Sequence, residues 1–546
     1  MAEKRAARRF GGLAGLVAAA IALGVAELVA AFVGPSSSPL TAVAGEIVDR
    51  LPRSLEQFGV QTFGHWDKPL LSVIVLIVLA GVAALAGLLA LRHISFGLGV
   101  IALFAAIGML ATYARPDSTS VAIVPTLIGA IVAMGTLPAL VRRAQAAVAS
   151  TAAEAGGEVG RSRRSAEPAG VGGTAGSAPA DFDFGGAGSA TRRGFLLFAG
   201  GAAGAAVVAG GAGRLVSKWR GVSDERAAIR LPAPSSPAPV VPAGAELDVA
   251  GITPLFTPNG SFYRVDTAFV LPQVNPDKWR LRIHGRARRE LTLTYDELLK
   301  RPIVERDITL TCVSNDVGGN LAGSARWLGV RLADLLAEVE PDVDADQLIG
   351  RSADGWTCGT PTAACRDGRD ALLAVGMNGV PLPVAHGFPV RMVVPGLYGY
   401  VSATKWLVDL ELSRFSDFDA YWVPRGWSQQ APIKTSSRID TPHASGRVDA
   451  GPVVVAGVAW AQHRGITKVE VRVDEGAWQE ATMATADSAD TWRQWRWTWD
   501  AKAAGSGRHS LEVRATDTTG VAQSGTIAAP APNGSEGWHH ISVEVR

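Results

Sequence analysis

Apolar and polar positions along this chain fall into two regimes that change over near residue 214. Ahead of that point lie five apolar runs, at 10–32, 69–91, 96–113, 121–141 and 195–213. Each is about 18 to 23 residues long, close to what a helix needs to cross the hydrocarbon core of a bilayer. Beyond it the pattern breaks into short units. Alternating segments such as Trp279-Arg280-Leu281-Arg282-Ile283 read as strands, and 295–300 and 332–338 read as short helices. Thr294 precedes Asp296 and Glu297, acids placed in a helix first turn where they meet the positive end of the dipole. After residue 444 the helices stop. Strand patterns at 453–458, 466–473, 495–499, 510–515 and 541–545 alternate with Gly, Asp and Ser turns, the sequence form of a small β-sandwich. The predicted fold class is a multi-pass α-helical membrane domain, an exported α+β domain and a C-terminal immunoglobulin-like β-sandwich.

These changes of texture set the expected limits. A four-helix transmembrane region covers 1–143, and a disordered cytoplasmic linker of Ala, Gly, Ser and charged residues covers 144–190. A fifth transmembrane helix follows over 191–214, then a spacer over 215–245 stiffened by Pro232, Pro234, Pro237, Pro239 and Pro242 and left some freedom to turn. An α+β catalytic body over 246–443 and the sandwich over 444–546 complete the chain. Trp460, Trp478, Trp492, Trp495, Trp497 and Trp499 read mainly as packing on the sandwich's sheet faces. The sandwich is then a lid or a subunit-contact surface, which leaves a homo-oligomer open.

Charge orients the membrane part. With the N-terminus inside, twelve Lys or Arg lie on the inner side, against Arg50, Arg53, Lys68 and Arg115 on the outer side. This places the large domain on the extracytoplasmic face. Arg192 and Arg193 stand directly before the fifth, Gly- and Ala-rich run; the pair is similar to a twin-arginine export signal, and simple inner-side charge is the alternative. The small residues of that run suit close helix packing. Glu27 is the one carboxylate well inside a run, and an intramembrane acid is a functional candidate or a packing element. Only His65 and His93 fall in this half, so the runs lack facing histidines for a haem. The bundle reads as an anchor or docking platform in membrane lipid. Overall, Lys and Arg total 52 against 50 Asp and Glu, with no basic stripe in the outer domain, which speaks against nucleic-acid binding.

Three cysteines occur, Cys312, Cys358 and Cys365. An odd number in an exported domain leaves at least one thiol unpaired within the chain. Cys358 and Cys365 flank a six-residue loop and could close it, and whether they do is open. Cys312 ends the alternating run 307–311 and is followed by Val313-Ser314-Asn315-Asp316-Val317-Gly318-Gly319-Asn320. A thiolate at a strand end, beside a Gly/Asn turn whose N–H groups can point inward, is a seat for a soft metal. A buried inert cysteine is the competing reading, and a zinc site fits less well because no Cys-x-x-Cys pair is present.

Five blocks carry a resemblance: 311–315 around Cys312, Ala325-Arg326-Trp327-Leu328-Gly329-Val330-Arg331-Leu332, Met377-Asn378-Gly379-Val380-Pro381-Leu382-Pro383, 386–396 from His386 through Arg391, and Lys405-Trp406-Leu407. In this order they resemble the sulfite oxidase family of molybdopterin-dependent oxidoreductases, here in a membrane-anchored bacterial, actinobacterial-like form. The likeness runs over about 250–545, and the sandwich is similar to that family's dimerisation domain. The resemblance implies a molybdenum–molybdopterin cofactor with Cys312 as the protein's thiolate ligand to the metal. It also implies cofactor contacts from Tyr263, Arg264, Asp266, Thr267, Ser314, Asn315, His386, Arg391 and Lys405, although Asp266 and Thr267 stand where an Asn-His pair is common. Arg and Lys suit an anionic phosphate, and an imidazole can pair with a pterin edge. The metal would cycle between Mo(VI) and Mo(IV) as an oxygen atom passes to or from a small-molecule substrate.

One departure bears on the substrate. Where sulfite oxidases usually carry arginine after the Asn of the cysteine block, this chain has Asp316. A close like charge costs a dianion on the order of 1 to 4 kcal/mol. Arg326, Arg366 or Arg264 are the candidates to compensate, so the expected catalytic set is Cys312, Asp316 and Arg326. The expectation is oxygen-atom transfer on a neutral or organic substrate, such as a sulfoxide or N-oxide. Sulfite oxidation is the alternative, and a non-catalytic membrane assembly protein on the same fold is the reading from a different class. No Cys-x-x-Cys-His or iron–sulfur spacing occurs, so electrons would pass to or from a separate redox protein or a quinone.

Overall fold

The computed structural model describes residues 2–34, 37–51, 55, 67–115, 118–161, 192–219 and 221–546. It divides into two units, 1–221 and 222–546. His65 and Arg53 lie outside the described residues, as do the 162–190 part of the expected linker and Thr191.

The first unit is helical: α1 (Ala2–Val33), α2 (Pro39–Arg50), α3 (Asp67–Ala90), α4 (Ile94–Tyr113), α5 (Val124–Arg161) and α6 (Arg192–Trp219). Five of these contain stretches long and apolar enough to cross a membrane, Ala7–Val33, Lys68–Ala90, Ile94–Tyr113, Val124–Ala149 and Gly194–Gly213. They form a multi-pass membrane anchor, and the five spans found among the described residues are consistent with the following domains lying on the extracytoplasmic side when the basic N-terminus is inside. Helix α1 is the hub because its small residues let three neighbours approach backbone to backbone. A Cβ on Gly15 would fall 1.9 Å from the carbonyl oxygen of Ala83, one on Gly24 2.4 Å from that of Ala206, and one on Gly129 2.6 Å from that of Ala22. The Gly-rich α6 therefore packs as its composition suggested, while Leu197, Val207 and Val208 stay exposed on its other side. Helix α5 continues to Arg161, so the first part of the expected disordered linker is helix.

Helix α2 was not legible in the pattern. It starts at Ser38, whose hydroxyl accepts from the N–H of Thr41, with Pro39 in the first turn. The same hydroxyl donates to Glu27 Oε1 at 2.5 Å, so the intramembrane carboxylate has a local partner.

The second unit begins at Val222. The 222–245 part of the expected spacer is instead part of this body, residues 215–219 ending helix α6: Ser235 N–H donates to the carbonyl of Ile303, Glu305 N–H donates to that of Ser236, and Arg226 reaches the carbonyls of Pro381 and Leu382. Prolines suit this edge because they hold the chain extended without needing ladder donors.

Two sheets build the catalytic body. One has the strand order Leu291–Thr294, Arg280–Gly285, Leu407–Ser413, Gln347–Ser352, Thr357–Pro361. The other runs Ile303–Thr311, Ala322–Arg331, Leu372–Met377, Val380–Pro381, with Arg391–Val393 also pairing on Leu372–Met377. The helix Leu332–Val339 buries Leu332, Leu335, Leu336 and Val339, an i, i+3, i+4, i+7 stripe, against this core. Each such side chain contributes roughly 1.5–3 kcal/mol. The helix Tyr295–Leu299 carries a full capping box between Thr294 and Glu297, which fulfils the acidic first-turn signal.

The C-terminal part is an immunoglobulin-like sandwich of a four-stranded and a five-stranded sheet, with Val455, Trp495, Trp499, Leu511, Val513 and Ile541 in its core. Trp460 and Trp492 pack instead with the core of the catalytic body, and the Trp492 indole N–H donates to the carbonyl of Leu255 at 2.8 Å.

Candidate functional site

Cys312 follows the nine-residue strand Ile303–Thr311, whose pairing with Ala322–Arg331 fixes where the strand ends. Its N–H still donates to Leu321, and the next turn closes by Asn315 N–H to the carbonyl of Cys312. Asn315 Oδ1 accepts from Leu321 N–H at 2.7 Å, so this side chain holds the turn in shape. The Cys312 sulfur lies 3.0 Å from Ser314 Oγ. Burial pushes the thiol pKa up, while the Ser314 hydroxyl and backbone and the Lys405 ammonium pull it down. A thiol in this balance ionises readily when a cation takes its proton's place.

Three other segments converge on the thiol. From 263–266, Tyr263 is partly buried and its hydroxyl pKa is raised, by desolvation first and by the nearby Cys312 second. Arg264 Nε and Lys405 Nζ both reach Asp266 Oδ2, at 2.8 and 2.7 Å. Burial lowers the Lys405 pKa to about 8 against the pull of Asp266. From 386–391, His386 Nε2 donates to the carbonyl of Asn259 at 3.0 Å, which leaves Nδ1 as an acceptor. Burial and the charge of Arg391 lower its pKa to about 4, so the ring is neutral. Gly387, at φ 106, brings this turn so close to Lys405 that a Cβ would lie 3.0 Å from Lys405 Cα.

Arg391 is the most telling residue. It is 5% exposed, it lies over the Trp327 ring at 5.0 Å, and among the described residues its acceptors are the carbonyls of His386 and Ala403. Its Nε has no partner, and among the described residues no carboxylate pairs with it. Burial lowers its pKa to about 10. A buried guanidinium without an acid is costly unless an anion completes the site. Arg264, Arg391 and Lys405 against Asp266 leave an excess of positive charge beside the thiol.

Residues 268–422 match the family described as "Oxidoreductase molybdopterin binding domain", and 436–513 match "Bacterial Ig domain". The chain is 30% identical to mitochondrial sulfite oxidase of Rattus norvegicus over 342 residues, 53% of this chain and 61% of that protein. It is 31% identical to the methionine-sulfoxide reductase catalytic subunit MsrP of Burkholderia mallei over 257 residues, 43% of this chain and 72% of that protein. The chain belongs to the molybdopterin-binding oxidoreductases. This oxidoreductase thus spans less than two thirds of the length of the mammalian sulfite oxidases it matches. Among solved structures it is similar to sulfane dehydrogenase SoxCD of Paracoccus pantotrophus, with TM-score 0.47 and 22% identity, over 54% of this chain and 82% of that one.

The chain carries a molybdopterin-binding domain, and the residues gathered around Cys312 fit that cofactor. The acid-free Arg391 guanidinium would take an anionic phosphate, His386 Nδ1 would accept from a ring N–H, and the Cys312 sulfur would ligate the metal. The bound cofactor supplies two-electron oxygen-atom chemistry. The protein's share would be to hold that group through Arg391, to keep His386 neutral, and to place Tyr263 near the thiol.

The structure gathers Tyr263, Arg264, Asp266, Cys312, Ser314, His386, Arg391 and Lys405. Thr267 follows half-buried. Arg326 is not brought to them: it lies four positions along its strand from Ala322, about 13 Å at strand rise, and forms a two-point pair with buried Asp307. Arg366 is exposed after the short turn Thr362–Cys365. Asp316 is solvent-exposed and lines a cavity beyond the thiol. Sequence reasoning missed Tyr398 and Gly399. Burial raises the Tyr398 pKa to about 12, with Cys312 among the groups that oppose its ionisation. A Cβ on Gly399 would sit 3.6 Å from the Tyr263 hydroxyl. Cys358 and Cys365 are free thiols, both fully buried. A separate group, His284, Asp409 and Glu411, places ligand atoms within 4.8 Å of one another on the other sheet, with Arg351 paired to both carboxylates.

Proposed function

We propose that this membrane-anchored enzyme oxidises sulfite, or a close sulfur oxyanion, on the extracytoplasmic side and passes the electrons to a separate redox protein or quinone. The observation that carries the reading is the positive charge that remains near the thiol once Arg391 is given to the cofactor, where Arg264 and Lys405 face one carboxylate, Asp266. The sulfite oxidases among its relatives support the same direction of oxygen transfer. Asp316 weighs less against an anion than its position in the sequence suggests, because it is exposed. At 4 Å an exposed like-charge pair costs about 1 kcal/mol, against several times that in a buried setting.

A second reading, reduction of a sulfoxide or N-oxide, is favoured by the unpaired Asp316 and by the likeness to the methionine-sulfoxide reductase subunit. One experiment separates the two. Detergent-purified enzyme containing close to one molybdenum per chain is assayed with sulfite and ferricyanide, and with dimethyl sulfoxide and reduced viologen, beside Cys312→Ser. Sulfite-dependent ferricyanide reduction, absent from the variant along with its molybdenum, is the expected result. Turnover only in the viologen assay would replace it by the second reading. The twin-arginine character of Arg192 and Arg193 belongs to the same proposal, since export after cofactor loading would supply the metal; replacing both by Lys should leave unexported, molybdenum-poor protein.

A further inference from the structure

The strand Ile303–Thr311, which ends next to Cys312, is the edge of its sheet, with Ala322–Arg331 paired on one side. An edge strand presents N–H and C=O groups of every second residue to whatever lies beside it. At its start these are met by Ser235 N–H, which takes the carbonyl of Ile303, and by the carbonyl of Ser236, which takes the N–H of Glu305. Towards its end the sandwich takes over. Thr309 N–H donates to the carbonyl of Asp490 at 2.9 Å, and Trp492 N–H donates to Thr309 Oγ1 at 2.8 Å. The amide Nε2 of Gln462 donates to the carbonyl of Thr309 at 3.1 Å and to Thr311 Oγ1 at 3.0 Å. Past the thiol the sandwich grips again, since Ser535 Oγ donates to the carbonyl of Asn315 at 2.6 Å and Arg438 to that of Gly319 at 2.7 Å. Cys312 is held on both flanks by a domain that supplies none of the side chains gathered around it.

Gln462 is fully buried, and its Oε1 has no hydrogen-bond partner among the described residues. A leucine of similar volume would fill the space without leaving a buried acceptor unpaired, so packing does not account for the amide. Its two donated bonds do. Successive side chains of a strand leave on opposite faces, so a bond to Thr311 Oγ1 fixes the pleat at the strand's end and with it the direction in which Cys312 departs. Hydrogen bonds that orient a ligand in this way tune the metal it holds.

We infer that Gln462 is a positioning residue of the metal site, acting through Thr309 and Thr311 to aim the Cys312 sulfur, a role that rests on Cys312 as the metal's thiolate and holds for either direction of oxygen transfer. The sandwich is then part of the redox apparatus as well as a packing partner.

The test uses the full-length, molybdenum-loaded chain in detergent, half-reduced, and reads the g-values of the metal's electron paramagnetic resonance, which follow the orientation of a ligating sulfur. Gln462→Leu, Thr311→Val, the two together, Gln494→Leu and Cys312→Ser are compared with the native chain per molybdenum bound. Gln494 is the control: it is equally buried on the sandwich, but it bonds the body at Leu247 N–H and the carbonyl of Thr253, away from the Cys312 strand. Gln462→Leu and Thr311→Val should shift the g-values in the same direction, the double variant no further than Gln462→Leu, and Gln494→Leu should leave them in place. Native g-values in Gln462→Leu, an equal shift in Gln494→Leu, or additive shifts in the double variant overturn the inference and leave the ligand assignment standing. Cys312→Ser that keeps both its molybdenum and the native g-values brings down the two together. Should Gln462→Leu fail to fold, Thr311→Val decides, because it removes only the hydroxyl that Gln462 bonds: a shift supports the role and native g-values end it.

Discussion

Replacing Arg391 by Met should make the cofactor-free protein more stable and the loaded enzyme less so. The guanidinium is buried, has no carboxylate partner among the described residues, and leaves Nε unbonded. Burial lowers its pKa from 12.5 to about 10. At about 1.4 kcal/mol per pKa unit, the charged form is disfavoured by on the order of 3 kcal/mol. Methionine has similar reach and fills the space over Trp327 without a charge to desolvate. Cofactor-free Arg391→Met should therefore unfold at higher denaturant, by up to about 3 kcal/mol. In the loaded enzyme the variant loses a charge-assisted bond worth about 1.5–3 kcal/mol, so molybdopterin retention should fall about ten- to a hundredfold. The assay is urea unfolding of the full chain in detergent, followed by tryptophan fluorescence, for protein from a molybdopterin-deficient host, beside molybdenum content from a competent one. A cofactor-free variant less stable than the native chain would refute the reasoning, because Arg391 would then be a structural residue already satisfied by its carbonyls.

Three further outcomes follow from the same contacts. Arg326→Ala strips buried Asp307 of its two-point partner; unfolding should be easier by about 3 kcal/mol, while sulfite KM per molybdenum stays within about twofold, and a large KM rise would return Arg326 to the site. The Asp487 pKa is raised to about 6, by burial first and by Asp307 second. The folded state therefore binds this proton more tightly than the unfolded state, and the stability it gives is present below about pH 4 and lost as pH rises through about 6. Asp487→Asn should raise the unfolding midpoint at pH 7.5 by about 1 kcal/mol, discounted for partial exposure, and leave it unchanged at pH 4; an equal gain at both would exclude titration as the cause. Gly318→Ala puts a Cβ 2.2 Å from the His539 ring at φ 78, so unfolding should be easier by about 1–3 kcal/mol, and an unchanged midpoint would show that the sandwich contact yields freely.

Much of the architecture follows from the chain alone because it depends on local periodicity. Unbroken apolar runs mark the five spans, alternation marks the strands, and Thr294 with Glu297 marks a helix start; each is a property of neighbours in sequence. Cys312, His386, Arg391 and Lys405 were also legible, as members of ordered blocks. What local pattern cannot contain is who faces whom. The Pro-rich 222–245 segment reads as a spacer, yet it lies along the strand Ile303–Thr311, because extended proline-rich backbone serves equally well as a tether or an edge. Arg326 sits in a family block, and strand register sends it to Asp307. Asp316 looked like a charge aimed at the substrate; only folding showed it exposed on a cavity whose other charges cancel in pairs across more than 50 residues of sequence. Electrostatic energy depends on distance in space and on burial, and both are set by the tertiary structure.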